Sequence, residues 1–221
     1  MPVKPILFSG PMVQALLAGR KTQTRRVINT KGGPNNIFSG AWTDDYIRAP
    51  GNAAWRAKQI PFAVGDLLWV REGWCHFPEN APDGMGEVVY YRADNGNDSR
   101  TSKEVMQKNG VAWQPSIFMP RWASRLTLKV TNVRSQRVQE ICEPDAKAEG
   151  VEPIDRQKDE KLSHAHRIDL AGTLSHALAF EQLWDSLNEE RGFGWDVNPW
   201  VAAYTFEVHH CNVDEFDRGA A

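Results

Sequence analysis

The stretch RLTLKVTNVRSQRVQEI, residues 125–141, alternates apolar and polar positions through Leu126, Leu128 and Val130. That is the side-chain period of a strand, and it predicts one long strand or two shorter ones with one face toward a core. Shorter strand patterns lie at VGDLLWVREGW (64–74), opened by a Gly-Asp turn, at GEVVYYRAD (86–94) and at WVAAYTFEV (200–208). Helical patterns fall between them. PMVQALLAG (11–19) sets Met12, Val13, Leu16 and Leu17 on one face, with Pro11 early and Gly19 at the end. CEPDAKAEGV (142–151) places Glu143 and Asp145 ahead of Lys147 and stops at Gly150. TLSHALAFEQLWDSLNEERG (173–192) carries Leu174, Leu178, Leu183, Trp184 and Leu187 on a broad stripe ending at Gly192. Four to six strands interleaved with short helices predict an α+β fold built on a small mixed β-barrel, not a doubly wound sheet.

The 221 residues, 41% hydrophobic and 24% charged, suit one domain with insertions. We expect a single domain over 1–212, excursions rich in Gly, Asn, Pro and polar residues at about 29–60 and 76–122, a charged connection over 152–172, and a disordered tail at 213–221. No apolar run approaches the roughly 18–20 residues that cross a bilayer, and the start MPVKPILFSGP has no signal-peptide core. Cys75, Cys142 and Cys211 are far apart and form no C-x-x-C pair, which fits a reducing, cytoplasmic setting without a membrane partner.

Net charge is −2, unevenly spread. Residues 1–60 carry nine Lys or Arg against two Asp or Glu, residues 121–137 carry five basic residues and no acid, and residues 138–221 carry seven basic against eighteen acidic. Such asymmetry marks an anion-binding face opposite an acidic one. Nine tryptophans, several beside arginines, serve either base stacking or a core.

The chemistry concentrates in GRKTQTRR, residues 19–26. A threonine hydroxyl attacks nothing at neutral pH without a base, and a lysine is that base only when burial or a neighbouring cation lowers its pKa. Lys21 and Thr24 are the candidates, with Arg20, Arg25 and Arg26 as neighbouring cations. In a straight strand Lys21 and Thr24 face opposite ways, so cooperation requires the backbone to turn. The competing reading is a solvated edge strand. His209-His210-Cys211 and His164-x-His166 lack further ligands at metal-site spacing, and Gly32-Gly33 and Gly84-x-Gly86 read as turns. Trp69 and Arg71 share one strand face and Glu72 and Trp74 the other, while Arg121 and Arg125 sit near aromatics in RWASR.

GRKTQTRR resembles the signature of the ASCH domain, Gly-x-Lys-x-x-Glu-x-Arg, a β-barrel superfamily related to PUA domains and linked to RNA. Gly19, Lys21 and Arg26 fill three of its four fixed places, and Thr24 stands where the general pattern has glutamate. The same exchange is found in the ASCH amidohydrolases that deacetylate 4-N-acetylcytidine. They are similar to this chain over LAGRKT-x-T-x-R, over the Gly65–Val70 strand and over the Glu143–Val151 helix. The two excursions have no counterpart in those compact enzymes, and LFSGPMVQALLAGRKTQTRRV with WDVNPWV looks like ASCH proteins of phages and prophages. The resemblance implies Lys21, Thr24 and Glu149 as catalytic residues of a hydrolase that needs neither metal nor cofactor and acts on a nucleoside-like small amide. Arg26, Trp69, Arg71 and Trp74 would then hold the base by hydrogen bonding and stacking. The alternative is a binding module or ribonuclease for single-stranded RNA or modified nucleic acid, using Arg20, Arg25, Arg121 and Arg125. A third is an assembly protein with a vestigial pocket.

Overall fold

A computed structural model describes residues 2–28, 37–38, 40–82, 84, 86–94, 99–155 and 174–219. In chain order it begins with β1 (Val3–Leu7), α1 (Gly10–Leu17), β2 (Gln23–Val27), α2 (Asp44–Arg48) and α3 (Ala53–Lys58). Next come β3 (Leu67–Arg71), β4 (Trp74–Phe77), β5 (Val88–Tyr91), α4 (Lys103–Lys108) and β6 (Thr127–Arg137). The chain closes with α5 (Glu143–Ala148), the short strands β7 (Ile154–Asp155) and β8 (Leu174–Ser175), α6 (His176–Asn188), β9 (Trp200–His209) and α7 (Val213–Gly219). None of the described helices is long and apolar enough to cross a membrane.

Two compact units emerge. Unit 1 comprises Met1–Gly19, Gly65–Lys129 and Glu207–Ala221; unit 2 comprises Arg20–Val64 and Val130–Phe206. In unit 1, β1 lies parallel to β3 from Val3↔Leu67 to Leu7↔Arg71, and β3 pairs antiparallel with the start of β6 from Leu67↔Lys129 to Trp69↔Thr127. A β4–β5 hairpin packs Cys75 and Phe77 with Ala81 and Met106. Gly65, at φ +90, makes the expected turn, and Asp66 beside it accepts from Lys4 at 2.6 Å. In unit 2, β2 runs antiparallel to β9, with Gln23 opposite Thr205 and Val27 opposite Val201. Val138, Ala146, Phe180, Trp184 and Val201 form its core, where α5 and α6 meet β9.

The mixed α+β composition and the principal strands and helices lie where the sequence patterns put them. Gly19, at φ +69, follows the end of α1, and Gly150, at φ +82, follows α5. Other expectations are corrected. The strand pairings among the described residues close no barrel. Residues 64–74 break at Glu72-Gly73, so β3 and β4 are separate strands. The part of the first excursion that is described holds α2 and α3, and the second holds α4. These helices of five or six residues are too short to show a helical period. Leu174 lies in β8 and not on the α6 stripe, and Leu187 is exposed. The tail expected to be disordered forms α7, because Val213 and Phe216 pack on Leu67 and Trp69. The Gly32-Gly33 and His164-x-His166 motifs lie outside the described residues.

Candidate functional site

The site in unit 2 starts with how α5 is held. Ser175 caps α6 by accepting from the Leu178 amide at 3.2 Å. The Glu143 carboxylate, at the start of α5, accepts from the Ser175 hydroxyl at 2.6 Å and from the His176 and Ala177 amides at 2.9 and 3.3 Å. Burial raises the Glu143 pKa, but those donors outweigh it and hold the carboxyl below its usual value. Thus α5 is pinned to the first turn of α6, and its far end presents Glu149.

On the other side, β2 enters alongside. The Thr22 amide donates to the Ala148 carbonyl at 2.8 Å, the Phe206 amide donates to the Thr22 carbonyl at 3.0 Å, and Lys21 bridges Glu149 in antiparallel fashion. Alternation then turns Lys21, Gln23 and Arg25 toward α5. Their hydrogen bonds follow that row. Lys21 Nζ donates to Glu149 Oε2 at 2.8 Å and to the Glu149 carbonyl at 2.9 Å. Arg25 Nη1 donates to Glu149 Oε1 at 2.9 Å and Arg25 Nη2 to Asp145 Oδ2 at 2.8 Å. Gln23 donates to Asp145 Oδ1 and to the Thr205 hydroxyl, both at 3.3 Å, and accepts from Arg25 at 2.6 Å. Arg134, from β6, shares Asp145 Oδ2 at 2.8 Å. The result is an alternating series of charges: Arg134, Asp145, Arg25, Glu149, Lys21.

Lys21 is 1% exposed and Thr24 is 3% exposed, which excludes the solvated-edge reading for both. Burial, the largest influence, holds the Lys21 ammonium below the ordinary lysine value. Glu149 favours the charged form, but Arg26 and Arg25 oppose it. Burial likewise lowers the half-buried Arg26, with Glu149 and Tyr204 acting the other way. Thr24 alternates out of the Lys21–Gln23–Arg25 row, paired across the strands with Tyr204, which is fully buried.

The remaining expected residues distribute as follows. Trp69, Arg71, Trp74, Arg121 and Arg125 belong to unit 1. There the Arg71 guanidinium lies 4.5 Å from the Trp69 ring centroid, and Trp74 meets Trp122 edge-on at 5.9 Å. Each arginine proposed as a phosphate contact is engaged by a carboxylate: Arg20 by Glu152, Arg25 by Asp145 and Glu149, Arg121 by Asp214, and Arg125 by Glu72 and Asp94. The basic segments of the sequence are therefore used in part to neutralise its acidic ones. Among the described residues no group of three or more His, Cys, Asp or Glu side chains is placed to hold a metal.

Gln23 and Asp145 were not singled out by the sequence reading. Their signal was present: Lys21, Gln23 and Arg25 repeat at the strand period, and Asp145 and Glu149 repeat at the helical i, i+4 spacing.

No family model matches the chain, and no curated protein matches it. Among solved structures the chain is similar to a crystal structure of an ASCH domain from Lactobacillus crispatus, at 11% identity and a TM-score of 0.35, with 94% of this chain and 79% of that one covered. Likeness of that degree leaves the chemistry of the site to rest on this chain's own residues.

Proposed function

We propose that unit 2 carries an ASCH-type amide-hydrolysing centre, acting without metal or cofactor on an acetylated cytosine nucleoside or a similar small amide. The observation that supports it most is Lys21: a lysine buried to 1% exposure, 2.8 Å from a carboxylate, and held by burial below its usual pKa. A desolvated lysine in its neutral form is a general base.

In this scheme the Thr24 oxygen attacks the amide carbonyl carbon and Lys21 Nζ takes the hydroxyl proton, a step that requires the backbone between them to turn out of the alternation that sets Thr24 off the lysine row. The tetrahedral adduct collapses, the C–N bond breaks, and the proton passes from Lys21 to the leaving nitrogen. Water then attacks the threonine ester, again losing its proton to Lys21, and the acid is released as the threonine oxygen is reprotonated. Glu149, fixed by Arg25, orients Lys21 and stabilises the ammonium formed in each half-reaction. Arg26 supplies a donor toward the developing oxyanion or the base.

Because Thr24 alternates out of the lysine row, its role is separable from that of Lys21 by experiment. Purified protein is incubated with 4-N-acetylcytidine and, separately, with single-stranded RNA, and products are resolved by chromatography. The expected result is cytidine and acetate from the first, an acyl group on Thr24 detectable by mass spectrometry, and loss of turnover in Lys21→Met, Glu149→Gln and Thr24→Ala. Turnover that survives in Thr24→Ala but not Lys21→Met would transfer the attack to water. Normal turnover in Lys21→Met, or RNA cleavage without deacetylation, would overturn the reading.

A further inference from the structure

Beside the Lys21 cluster, unit 2 holds a second feature that the proposed chemistry does not use. A cavity of about 660 Å³ lies between α2, α3 and the far half of β6, a size that takes a small organic ligand whole. Its lining includes the apolar Ile47, Ala57, Ile60 and Val133 together with three arginines, Arg48, Arg56 and Arg134, and one carboxylate, Glu140. Arg56 donates to the Ile47 and Ala49 carbonyls and so ties down the end of α2. Arg48 is bound to Glu140, with its guanidinium 5.1 Å from the Trp200 ring centroid. Arg134 is less completely matched. Its Nη2 donates to Asp145, while its Nε–H is buried and has no hydrogen-bond partner among the described residues. A donor without an acceptor is a deficit that a ligand oxygen removes once the Arg134 side chain, 41% exposed, shifts to present it.

We propose that this cavity binds a small organic anion, a carboxylate or phosphate carried on an apolar ring or branched body, with Arg134 as the fork that receives it. The lining arginines set the sign of the ligand, and the apolar lining residues set its body. Because Arg134 is also the outer end of the ion-pair series that reaches Lys21, the anion and Asp145 compete for one guanidinium. Occupancy loosens Asp145 from Arg134 and leaves it to Arg25, so the state of the cavity is felt along the series.

Calorimetry on the full chain tests this by binding, independently of any turnover at Lys21. The probes are phenyl phosphate, benzoate, inorganic phosphate and, as the neutral counterpart of benzoate, benzamide. Both aromatic anions should bind and benzamide should not, with inorganic phosphate weaker than its phenyl ester. Arg134→Gln should weaken binding by about tenfold or more, the scale of one charge-assisted hydrogen bond. Asp145→Asn, which removes the competitor, should tighten it severalfold. Glu140→Gln should act in the same direction and serves where Asp145→Asn unsettles the fold, as read by thermal unfolding. Equal binding of benzamide and benzoate, no binding of either anion at millimolar concentration, or indifference to Arg134→Gln would overturn the proposal. So would a single-stranded oligonucleotide that displaces both anions with a steep salt dependence.

Discussion

Each unit buries a carboxylate against cations, and the two clusters come out with opposite electrostatics. In unit 1, Glu72 is 1% exposed and receives Arg125 through Nε at 2.9 Å and Nη2 at 3.0 Å. Asp94 binds the same guanidinium, which lies 3.9 Å from the Tyr91 ring centroid. Burial alone would lower Arg125, but two carboxylates more than reverse it and push it up. In unit 2 the lysine pairs with Glu149, which it shares with Arg25, and burial prevails. One cation served by two anions is locked in its charged form. Where one anion is shared by two cations and the lysine is almost fully buried, burial lowers the lysine pKa. The two clusters thus differ in both depth and stoichiometry: the Lys21 side chain is 1% exposed and shares its carboxylate, whereas the Arg125 side chain is 23% exposed and has two.

That contrast can be broken in several ways. The largest effect is expected on chemistry: Lys21→Met should lower 4-N-acetylcytidine turnover about 10²–10⁴-fold, the range of a lost general base, in a steady-state assay. For stability the order reverses. Arg125→Leu strips the guanidinium that Glu72 and Asp94 share, and should destabilise by about 3–5 kcal/mol in urea unfolding. Lys21→Met leaves Glu149 with Arg25, and its cost should be only about 1–2 kcal/mol. If Lys21→Met proves the more destabilising of the two, the contrast between the clusters fails. A pH series sharpens it further. The folded pKa of Lys21 is below its unfolded value of 10.5, so between those values the unfolded chain holds more protons. The penalty for burying the ammonium is full below the folded pKa and fades as pH rises toward 10.5. Wild-type stability should therefore gain on that of Lys21→Met as pH is raised through that window, whereas a constant difference would deny the lowered pKa. The smallest effect belongs to Arg20→Ala, whose pair with Glu152 is exposed on both sides, with a change below about 0.5 kcal/mol.

The sequence makes the chemistry-bearing residues legible more readily than their partners. Alternation in residues 125–141 reports β6, and the Gly19 and Gly150 stops report the ends of α1 and α5, because those signals are local. The Lys21–Glu149 and Arg25–Asp145 pairs join residues 128 and 120 positions apart, and nothing local specifies them. The charge asymmetry is visible in the sequence, but the pairing of those charges is not. The fold sets Arg48 on Glu140, Arg137 on Asp44 and Arg25 on Asp145, so much of that charge is spent internally. Helix α7 was missed for a different reason. Its composition is acidic and polar, and only the i, i+3 spacing of Val213 and Phe216 hints at a buried edge.

The separation of Lys21 from Glu149 also sets an order of events during synthesis. Lys21 and Arg25 leave the ribosome early, while their carboxylates arrive more than a hundred residues later. Until then those cations have no reason to leave water, since burying an uncompensated charge is strongly unfavourable. Unit 2 is assembled from two stretches separated by most of unit 1, so its lysine meets Glu149 only when about two thirds of the chain exists. A truncated product ending before α5 would carry the whole GRKTQTRR motif and neither of the carboxylates that pair with Lys21 and Arg25.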